Sequence, residues 1–341
     1  LIEAEGDGRL RLTATDLDLQ VVEGVTAKVE TPGATTVSAH TLFEIARKLP
    51  EGSEVKLTAA DGKMQVLAGR ARFNLQTLPR DDFPMIAEGD LPTSFAIPAA
   101  SLIRIIDKTR FAISTEEMRY FLNGIFLHVT SDPEPVLKAV ATDGHRLARV
   151  TLPQPEGASN MPDVIVPRKC VGELRKLLDE ADGDVRVDLS ASKIRFTFPE
   201  DAGGAVLTSK LIDATFPDYS RVIPTGNDKL LKIDPASFAQ GVDRVATIAT
   251  EKTRAVKMAL DTDRITLSVT SPENGTAAEE VPGAYSSDSF EIGFNARYLL
   301  DILAEIDGDS VELHLADAGS PTLIRENDKS PALYVLMPMR V

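Results

Sequence analysis

The chain has 341 residues, 43% of them hydrophobic, and is too long for one hydrophobic core, so two or three domains are expected. Its formal net charge of −15 argues against nucleic-acid binding through an overall basic surface, but leaves a locally basic face possible. The single cysteine, Cys170, excludes an internal disulfide and favours the cytoplasm, and no apolar run approaches the ~20 residues of a membrane span.

One unit recurs three times along the chain: a helix, an acidic or glycine-bearing turn, and two strands that alternate apolar and polar residues. Equivalent valines at Val55, Val185 and Val311 are spaced like repeated domains, because solenoid units span only ~20–50 residues. Helices over antiparallel sheets predict an α+β fold. The three helices are predicted at 39–49, 167–178 and 295–306.

A further strand and helix precede the unit in the second and third copies, and the first copy has no counterpart. The distance from Thr93 to Ile125 therefore suggests that roughly 30 residues are absent from the front of the first domain. The added helices are predicted at 99–113 and 235–248. The domains are expected to span residues 1–92, 93–222 and 223–341.

A polar segment, Thr142 to Arg146, lies between two apolar runs of the second copy. Asp143-Gly144 predicts a tight turn, because glycine accepts the positive φ that a hairpin needs. A turn alone does not explain the His145-Arg146 pair that follows, in a chain with only four histidines.

The sequence Ala-Thr-Asp-Gly-His-Arg-Leu-Ala at 141–148 resembles the signature of the bacterial sliding clamp family, the DNA polymerase III beta subunits. Segments 120–124, 166–169, 216–219 and 334–341 match the family in the same order, and the similarity covers the whole chain. The resemblance implies three clamp domains per chain and a ring of two subunits. Such a ring encircles duplex DNA and tethers the replicative polymerase, without catalysis or cofactor.

The resemblance also implies a pocket that accepts short linear motifs from the DNA polymerase III alpha subunit, the clamp loader, other polymerases and repair proteins. The tail from Met337 to Val341 suits an adaptable apolar wall, although a frayed C-terminus is the simpler interpretation. Its last residue departs from the leucine expected in the family. Leu147, Val222, Val335 and Met337 are expected as walls, with His145 and Arg146 at the rim. The implied pocket residues are Leu122, Thr142, Gly144, His145, Arg146, Leu147, Pro217, Arg221, Val222, Val335, Met337, Pro338, Met339 and Arg340.

Basic residues are concentrated on two predicted helices, with a net charge of +2 over 104–110 and +3 over 168–176. An ordinary solvated face explains one such helix equally well. The third helix weakens the pattern, since Asp301 and Glu305 accompany only Arg297. In the family these helices face duplex DNA without reading its sequence. The DNA-facing residues implied are Arg104, Lys108, Arg110, Arg119, Tyr120, Arg168, Lys169, Arg175 and Lys176.

The family pairs the first domain of one subunit with the third domain of another, head to tail, and such a contact closes into a ring when the rotation allows it. Phe73 and Leu75 are expected on a strand of that interface, although the same alternation also suits a domain core. Glu279-Glu280 is predicted in a loop. The interface residues implied are Arg70, Arg72, Phe73, Leu75, Ile248, Glu279 and Glu280.

Two alternatives remain open from the residues alone. A hydrolase using His145 and Asp143 would require substrate turnover, but the histidines are scattered without zinc spacing and no phosphate-binding glycine loop is present. No catalytic residue, metal or cofactor is therefore predicted. The second alternative is a repeat-built scaffold that recruits proteins and encircles nothing. A dimer in solution and retention on circular but not linear DNA would distinguish a clamp from that scaffold.

Overall fold

The computed structural model describes residues 1–87, 89–131, 133–199, 204–250 and 254–341. These residues form two compact units, and each contains strands from two neighbouring copies of the repeat. The first unit consists of Leu1–Ala100, Glu156–Asn160 and Gly172–Leu211. The second unit consists of Ser101–Pro155, Met161–Val171 and Ile212–Val341.

The elements follow the same order in each copy. The first copy contains β1 (Ile2–Ala4), β2 (Arg9–Thr15), β3 (Leu19–Thr26), β4 (Gly33–Val37), α1 (Ala39–Ala46), β5 (Val55–Ala60), β6 (Lys63–Ala68) and β7 (Ala71–Leu78). The second contains β8 (Thr93–Pro98), α2 (Ala99–Arg110), β9 (Gly124–Thr130), β10 (Val136–Thr142), β11 (Arg146–Pro153), β12 (Val164–Pro167), α3 (Arg168–Leu178), β13 (Asp184–Leu189), β14 (Lys193–Thr197) and β15 (Val206–Lys210). The third contains β16 (Lys229–Ile233), α4 (Pro235–Ala246), β17 (Ala255–Asp261), β18 (Arg264–Ser271), β19 (Gly275–Pro282), β20 (Ala284–Tyr285), β21 (Phe290–Asn295), α5 (Ala296–Leu303), β22 (Val311–Leu315), β23 (Thr322–Arg325) and β24 (Ala332–Leu336). Short 3₁₀ segments lie at Arg80–Asp82, Glu117–Leu122 and Tyr219–Val222.

The helices begin within one residue of the predicted positions; α3 ends at Leu178 as predicted, and the other four end two or three residues earlier. In α3 the predicted apolar stripe is confirmed, because Val171, Leu174 and Leu178 are all buried. Helix α2 ends at Arg110, and the next turn tightens, with the Ala112 N–H donating to the Thr109 carbonyl. Across the described residues, none of the helices is long and apolar enough to cross a membrane.

Strand pairing joins successive copies of the repeat. In the first unit an eleven-stranded sheet has the order β5-β6-β7-β4-β1-β2-β3-β15-β14-β13-β8, so β3 of the first copy pairs with β15 of the second. In the second unit a nine-stranded sheet has the order β12-β9-β10-β11-β24-β23-β22-β16-β20, so β11 of the second copy pairs with β24 of the third. A separate four-stranded sheet in that unit has the order β19-β18-β17-β21.

By the same rule, two of the described strands keep an unpaired edge where their equivalents in other copies are paired. Strand β19 occupies in the third copy the place of β3 and β11, and among the described strands it pairs only with β18. Strand β7 occupies in the first copy the place of β15 and β24. It pairs with β6 along most of its length and with β4 only at Thr77 and Leu78. Each open edge therefore belongs to a strand whose equivalents elsewhere in the chain are paired.

Candidate functional site

The turn between β10 and β11 is held by the side chains of its own motif. The Thr142 hydroxyl donates to the Arg146 carbonyl at 2.7 Å and accepts the Gly144 N–H at 3.1 Å. The Asp143 carboxylate accepts the N–H groups of His145 and Arg146 at 2.9 and 3.0 Å. Gly144 has φ of +89°, a conformation that favours glycine. The predicted turn is confirmed, and it accounts for Thr142, Asp143 and Gly144 structurally.

Arg146 does not lie at the rim of a pocket, as the sequence analysis predicted. Its side chain is only 8% exposed, with Nη1 at 2.5 Å from Asp301 Oδ2 and Nε at 3.2 Å from Asp143 Oδ2. Nη2 donates to the Phe111 carbonyl at 2.6 Å, and the guanidinium lies 4.3 Å from the centroid of the Tyr298 ring. The planar guanidinium presents its N–H donors in a fixed geometry, which suits a site with several acceptors. Arg146 therefore fixes the turn from beneath the surface.

His145 is the motif residue whose side chain stays at the surface. Its ring stacks on Tyr298 with centroids 6.2 Å apart, and its carbonyl accepts the Met337 N–H at 2.9 Å. Tyr298 was missed by the sequence analysis, because it comes from α5 in another copy and no local motif marks it. The sequence offers one indication that α5 contacts the turn, namely Asp301, an acidic residue on α5 that pairs with Arg146.

A buried apolar cluster lies beneath the surface residues of the predicted pocket. Leu147 and Val335 are opposite one another in the β11–β24 register, and each is 2% exposed. They therefore form a floor, not the accessible walls that the sequence analysis predicted. The cluster consists of Leu122, Val140, Leu147, Ile165, Phe216 and Val335. The predicted pocket residues that remain exposed are Gly144, His145, Pro217, Arg221, Val222, Met337, Met339 and Arg340. We call this surface with its floor the groove.

The segment Tyr219–Val222 presents Arg221 and Val222 at the edge of the groove. The Tyr219 hydroxyl lies 2.9 Å from His128 Nε2, and Tyr219 also packs against the buried cluster. Below it, the rings of Phe126 and Phe216 stack with centroids 4.7 Å apart. Burial lowers the pKa of His128 and raises the pKa of Tyr219. These contacts fix the segment to the sheet.

The C-terminal tail is hydrogen-bonded at two points, which argues against a frayed end. The Met337 N–H donates to His145, and the Met339 N–H donates to the Gly293 carbonyl on β21 at 2.7 Å. Gly293 is buried, and a Cβ atom there would lie 2.6 Å from the Met339 carbonyl oxygen. Met337 and Met339 nevertheless remain 38% exposed each, so they present thioether side chains to solvent beside His145.

Most of the predicted DNA-facing cations are accessible. Arg119 is half-buried, pairs with Glu116 at 2.5 Å and lies against Gly144. On α3, Lys176 is 72% exposed and pairs with Glu173 at 3.0 Å, while Arg175 pairs with Asp179. The predicted DNA-facing residues that are exposed are Arg104, Arg110, Tyr120, Arg168, Lys169 and Lys176.

Lys108 does not belong to this group, which corrects the sequence analysis. The residue is 8% exposed, its ammonium lies 2.8 Å from Asp307 Oδ2, and it also donates to the Glu305 carbonyl. Carbonyls just beyond the C-terminal end of α5 attract a cation. Burial also raises the pKa of the Glu305 carboxyl. Lys108 therefore joins α2 to the end of α5 and is not available to a phosphate.

The predicted interface residues lie on or beside the two open strand edges. Phe73 and Leu75 are half-exposed on β7 and pack against the buried cluster of Ile2, Met64 and Val66, and Arg70 and Arg72 are exposed. Ile248 is partly exposed just after α4, and its carbonyl accepts from Asn274 at 3.0 Å.

Glu279 and Glu280 lie on β19, so the predicted loop is wrong. Their strand forms a hairpin with β18 through a turn held by Ser271 and Asn274. Glu279 pairs with Arg244 at 2.5 Å, and this contact holds the pKa of the Glu279 carboxyl below its usual value. Glu280 stays 62% exposed. Within the described residues, no group of three or more His, Cys, Asp or Glu side chains is placed to hold a metal.

Three family models match the chain in succession. They describe the N-terminal, central and C-terminal domains of the DNA polymerase III beta subunit, over residues 1–87, 96–218 and 220–340. A beta sliding clamp of Caulobacter vibrioides is 51% identical over 100% of this chain and 91% of its own length. The Escherichia coli K12 beta sliding clamp is 38% identical over 98% of this chain and 90% of its own length. The crystal structure of a sliding clamp from Bartonella birtlesii, bound to griselimycin, is 48% identical with a TM-score of 0.96, covering 100% of this chain and 90% of that one.

Proposed function

The chain belongs to the DNA polymerase III beta subunit family, and from this premise we propose that it is a DNA sliding clamp that encircles duplex DNA and tethers the replicative polymerase. It acts as a non-catalytic processivity factor. We assign its three domains to residues 1–92, 93–222 and 223–341, which agree with the spacing of the repeat. We place it in the cytoplasm, where its single buried Cys170 would remain reduced.

The pair of open strand edges is the observation that supports the ring. Strand pairing joins the first copy to the second and the second to the third, in both cases between equivalent strands. The same pairing between β19 of one subunit and β7 of another would join the third copy to the first. Such a head-to-tail contact is heterologous and closes when the rotation allows it, here after two subunits. Arg72 on β7 and Glu280 on β19 are both exposed and complementary in charge.

Charge reversal tests this interface without disturbing a core. Arg72→Glu or Glu280→Arg alone should shift the dimer towards monomer in sedimentation, because like charges then meet across the paired strands. Combining both changes should restore the dimer. Ile248→Glu should also give monomers, since an unpaired charge in an apolar interface costs several kcal/mol. Leu75→Glu is less informative, because Leu75 also packs against the buried cluster of the first copy. Dimerisation unchanged in all single variants would contradict the assignment of β7 and β19.

Duplex DNA is the partner proposed for the exposed and half-buried cations on α2, α3 and the segment after α2, together with Tyr120. The contacts would be to phosphates, independent of sequence and sensitive to salt. A net charge of −15 is compatible with this partner, because a closed ring retains DNA by topology and not by affinity. The residues proposed are Arg104, Arg110, Arg119, Tyr120, Arg168, Lys169, Arg175 and Lys176.

The groove is the proposed site for the polymerase alpha subunit, the clamp loader, other polymerases and repair proteins. Their short linear motifs would place apolar side chains over the Leu147–Val335 floor, between Val222 and Met337. Arg146 supports this site from beneath, and His145 lies at its rim. An exposed apolar surface flanked by mobile thioethers suits several related peptides.

Deletion of residues 337–341 tests the groove. Strand β24 ends at Leu336, so the sheet should remain intact. Affinity for a clamp-recognition peptide should fall at least ~10-fold, equivalent to ~1.4 kcal/mol. His145→Ala should weaken binding less than the deletion does. Unchanged peptide affinity in the deletion variant would place the binding site elsewhere.

A further inference from the structure

Two cations continue the sheet face that forms the floor of the groove. On β10, Lys138 lies two residues before Val140, and on β11, Arg149 lies two residues after Leu147. Alternate residues of a strand share a face and are ~7 Å apart. Val140 is opposite Arg149 in the register, so the four side chains lie on one face. The apolar floor therefore changes into a basic patch within one residue pair.

Neither cation is neutralised within the described chain. None of the described carboxylates forms an ion pair with Lys138 or Arg149. Burial lowers the pKa of both groups, and Arg149 lowers the pKa of Lys138 further. Among the groups packed on this face, His128 is opposite Lys138, and the Tyr219 ring lies 5.7 Å from the His128 ring. The Asp163 carboxylate acts electrostatically on His128 and Tyr219, but it forms no ion pair with Lys138 or Arg149. Lys138 and Arg149 are diagonal neighbours on this face, opposite Thr151 and Val140 respectively, and their like charges would be offset by an anion placed between them.

Hydrogen-bonding groups on the same face are also unused. Arg149 Nε, the Thr151 hydroxyl and the Thr130 hydroxyl are all buried and have no partner in the described protein. Thr151 is directly opposite Lys138 in the register. The large majority of buried side-chain polar atoms in proteins have a hydrogen-bond partner. The patch therefore combines two positive charges with unused donors, which is the chemistry that recognises an oxyanion.

We propose that Lys138 and Arg149 bind a carboxylate of the same partner peptide whose apolar side chains occupy the groove. This inference rests on the proposed function of the groove. A guanidinium with a neighbouring ammonium suits the two oxygens of a carboxylate. A peptide is favoured over a DNA phosphate, because the patch is continuous with an apolar floor that a phosphodiester backbone would not cover. The acidic residue would lie a few positions beyond the apolar pair.

Matched peptides test the subsite. Each pair carries the same apolar anchors, with glutamate or glutamine at successive positions beyond them, and binding is titrated at low and high salt. At one position the glutamate peptide should bind the parent protein at least ~5-fold more tightly than the glutamine peptide does, and high salt should reduce this preference. Arg149→Gln and Lys138→Gln should each remove most of that preference and leave the glutamine peptide unaffected. Lys63→Gln, which removes an exposed lysine on β6, is the control for net charge.

The outcomes separate this inference from the groove itself. Equal binding of glutamate and glutamine peptides at every position would overturn the subsite, while the groove assignment stands. A preference that survives in Arg149→Gln and Lys138→Gln would also overturn it, because another cation would then be responsible. At constant ionic strength, inorganic phosphate should compete with the glutamate peptide and not with the glutamine peptide. Equal competition with both peptides would show that the glutamate does not use the patch, and the proposal would be wrong. Absence of binding by either peptide to the parent would contradict the groove, and the subsite with it.

Discussion

Arg146 Nη1 lies 2.5 Å from Asp301 Oδ2, so a buried guanidinium ties the β10–β11 turn to helix α5. The same group contacts Asp143, the Phe111 carbonyl and the Tyr298 ring. This arrangement also fixes the position of His145, because the Asp143 carboxylate accepts its backbone N–H and its carbonyl accepts the N–H of Met337 in the tail. The surface of the groove is thus positioned by a residue that the solvent hardly reaches.

Arg146→Ala should lower the free energy of unfolding by roughly 3–5 kcal/mol, because it leaves buried acceptors without a donor. Arg146→Lys should lower the free energy of unfolding by less, because lysine keeps the positive charge but lacks the fixed donor geometry of the guanidinium. Arg221→Ala is the control: this arginine pairs with Asp218 but is 83% exposed, so its loss should cost below ~1 kcal/mol. Urea denaturation measures all three. Equal stability of the parent and Arg146→Ala would refute the buried anchor.

Gly293→Ala should detach the tail without altering the groove floor. The added Cβ would overlap the Met339 carbonyl, so the Met339–Gly293 hydrogen bond would open. Peptide affinity should fall several-fold, towards that of the tail deletion. Gly172→Ala on α3 is a matched control, because a Cβ there meets no atom within 4 Å. The account of the tail fails if both alanine variants bind peptide like the parent in a fluorescence titration.

Lys108→Gln should affect stability and leave DNA binding almost unchanged. Its ammonium is buried against Asp307 and the Glu305 carbonyl, so its removal leaves both without their cation. Arg104→Gln and Arg110→Gln should instead reduce DNA affinity at low salt and flatten the salt dependence, by about one unit of slope for each phosphate that is no longer neutralised. Binding of duplex DNA at several salt concentrations distinguishes them. A Lys108→Gln variant with normal stability and weakened DNA binding would show that Lys108 does contact DNA.

Acidification should destabilise the protein through His128. Burial lowers the pKa of His128, so the unfolded chain takes up a proton more readily than the folded one. Stability is therefore retained above the unfolded value of ~6.5 and is lost as pH falls below it towards the folded value. In urea denaturation at pH 7 and pH 5, His128→Gln should lose less stability than the parent. His40→Gln changes a histidine at an exposed position on α1 and should lose as much stability as the parent. Equal losses of stability in the parent, His128→Gln and His40→Gln would show that His128 is not the cause.

The sequence alone predicts those structural features that are determined by residues close together in the chain. The buried stripe Val171, Leu174 and Leu178 follows from helical spacing, and the turn at Gly144 follows from its need for positive φ. The threefold recurrence likewise predicted the α+β repeat, which the order of elements confirms. These features depend on residues close together in the chain, so no tertiary information was needed.

The failures depend on distant partners. Lys108 looks like a solvated cation on its helix, and only Asp307, from another copy, makes it a buried one. Arg146 was misplaced for the same reason, since its acceptor Asp301 lies on α5. Glu279 and Glu280 seemed typical of a loop, but pairing of β19 with β18 extends them into a strand. Pairing between copies, as in β3 with β15, leaves no mark on either strand alone.

Retention on circular DNA shows whether the protein closes into a ring around the duplex, because a closed ring holds its substrate by topology. Protein loaded onto nicked circular DNA by a clamp loader should stay bound through gel filtration in high salt. Linearising the circle should release it, since the ring then slides off the ends. The Arg72→Glu variant should not be retained on the circle, and Arg72→Glu combined with Glu280→Arg should be retained again. Equal retention on circular and linear DNA, or none on either, would contradict the assignment as a sliding clamp.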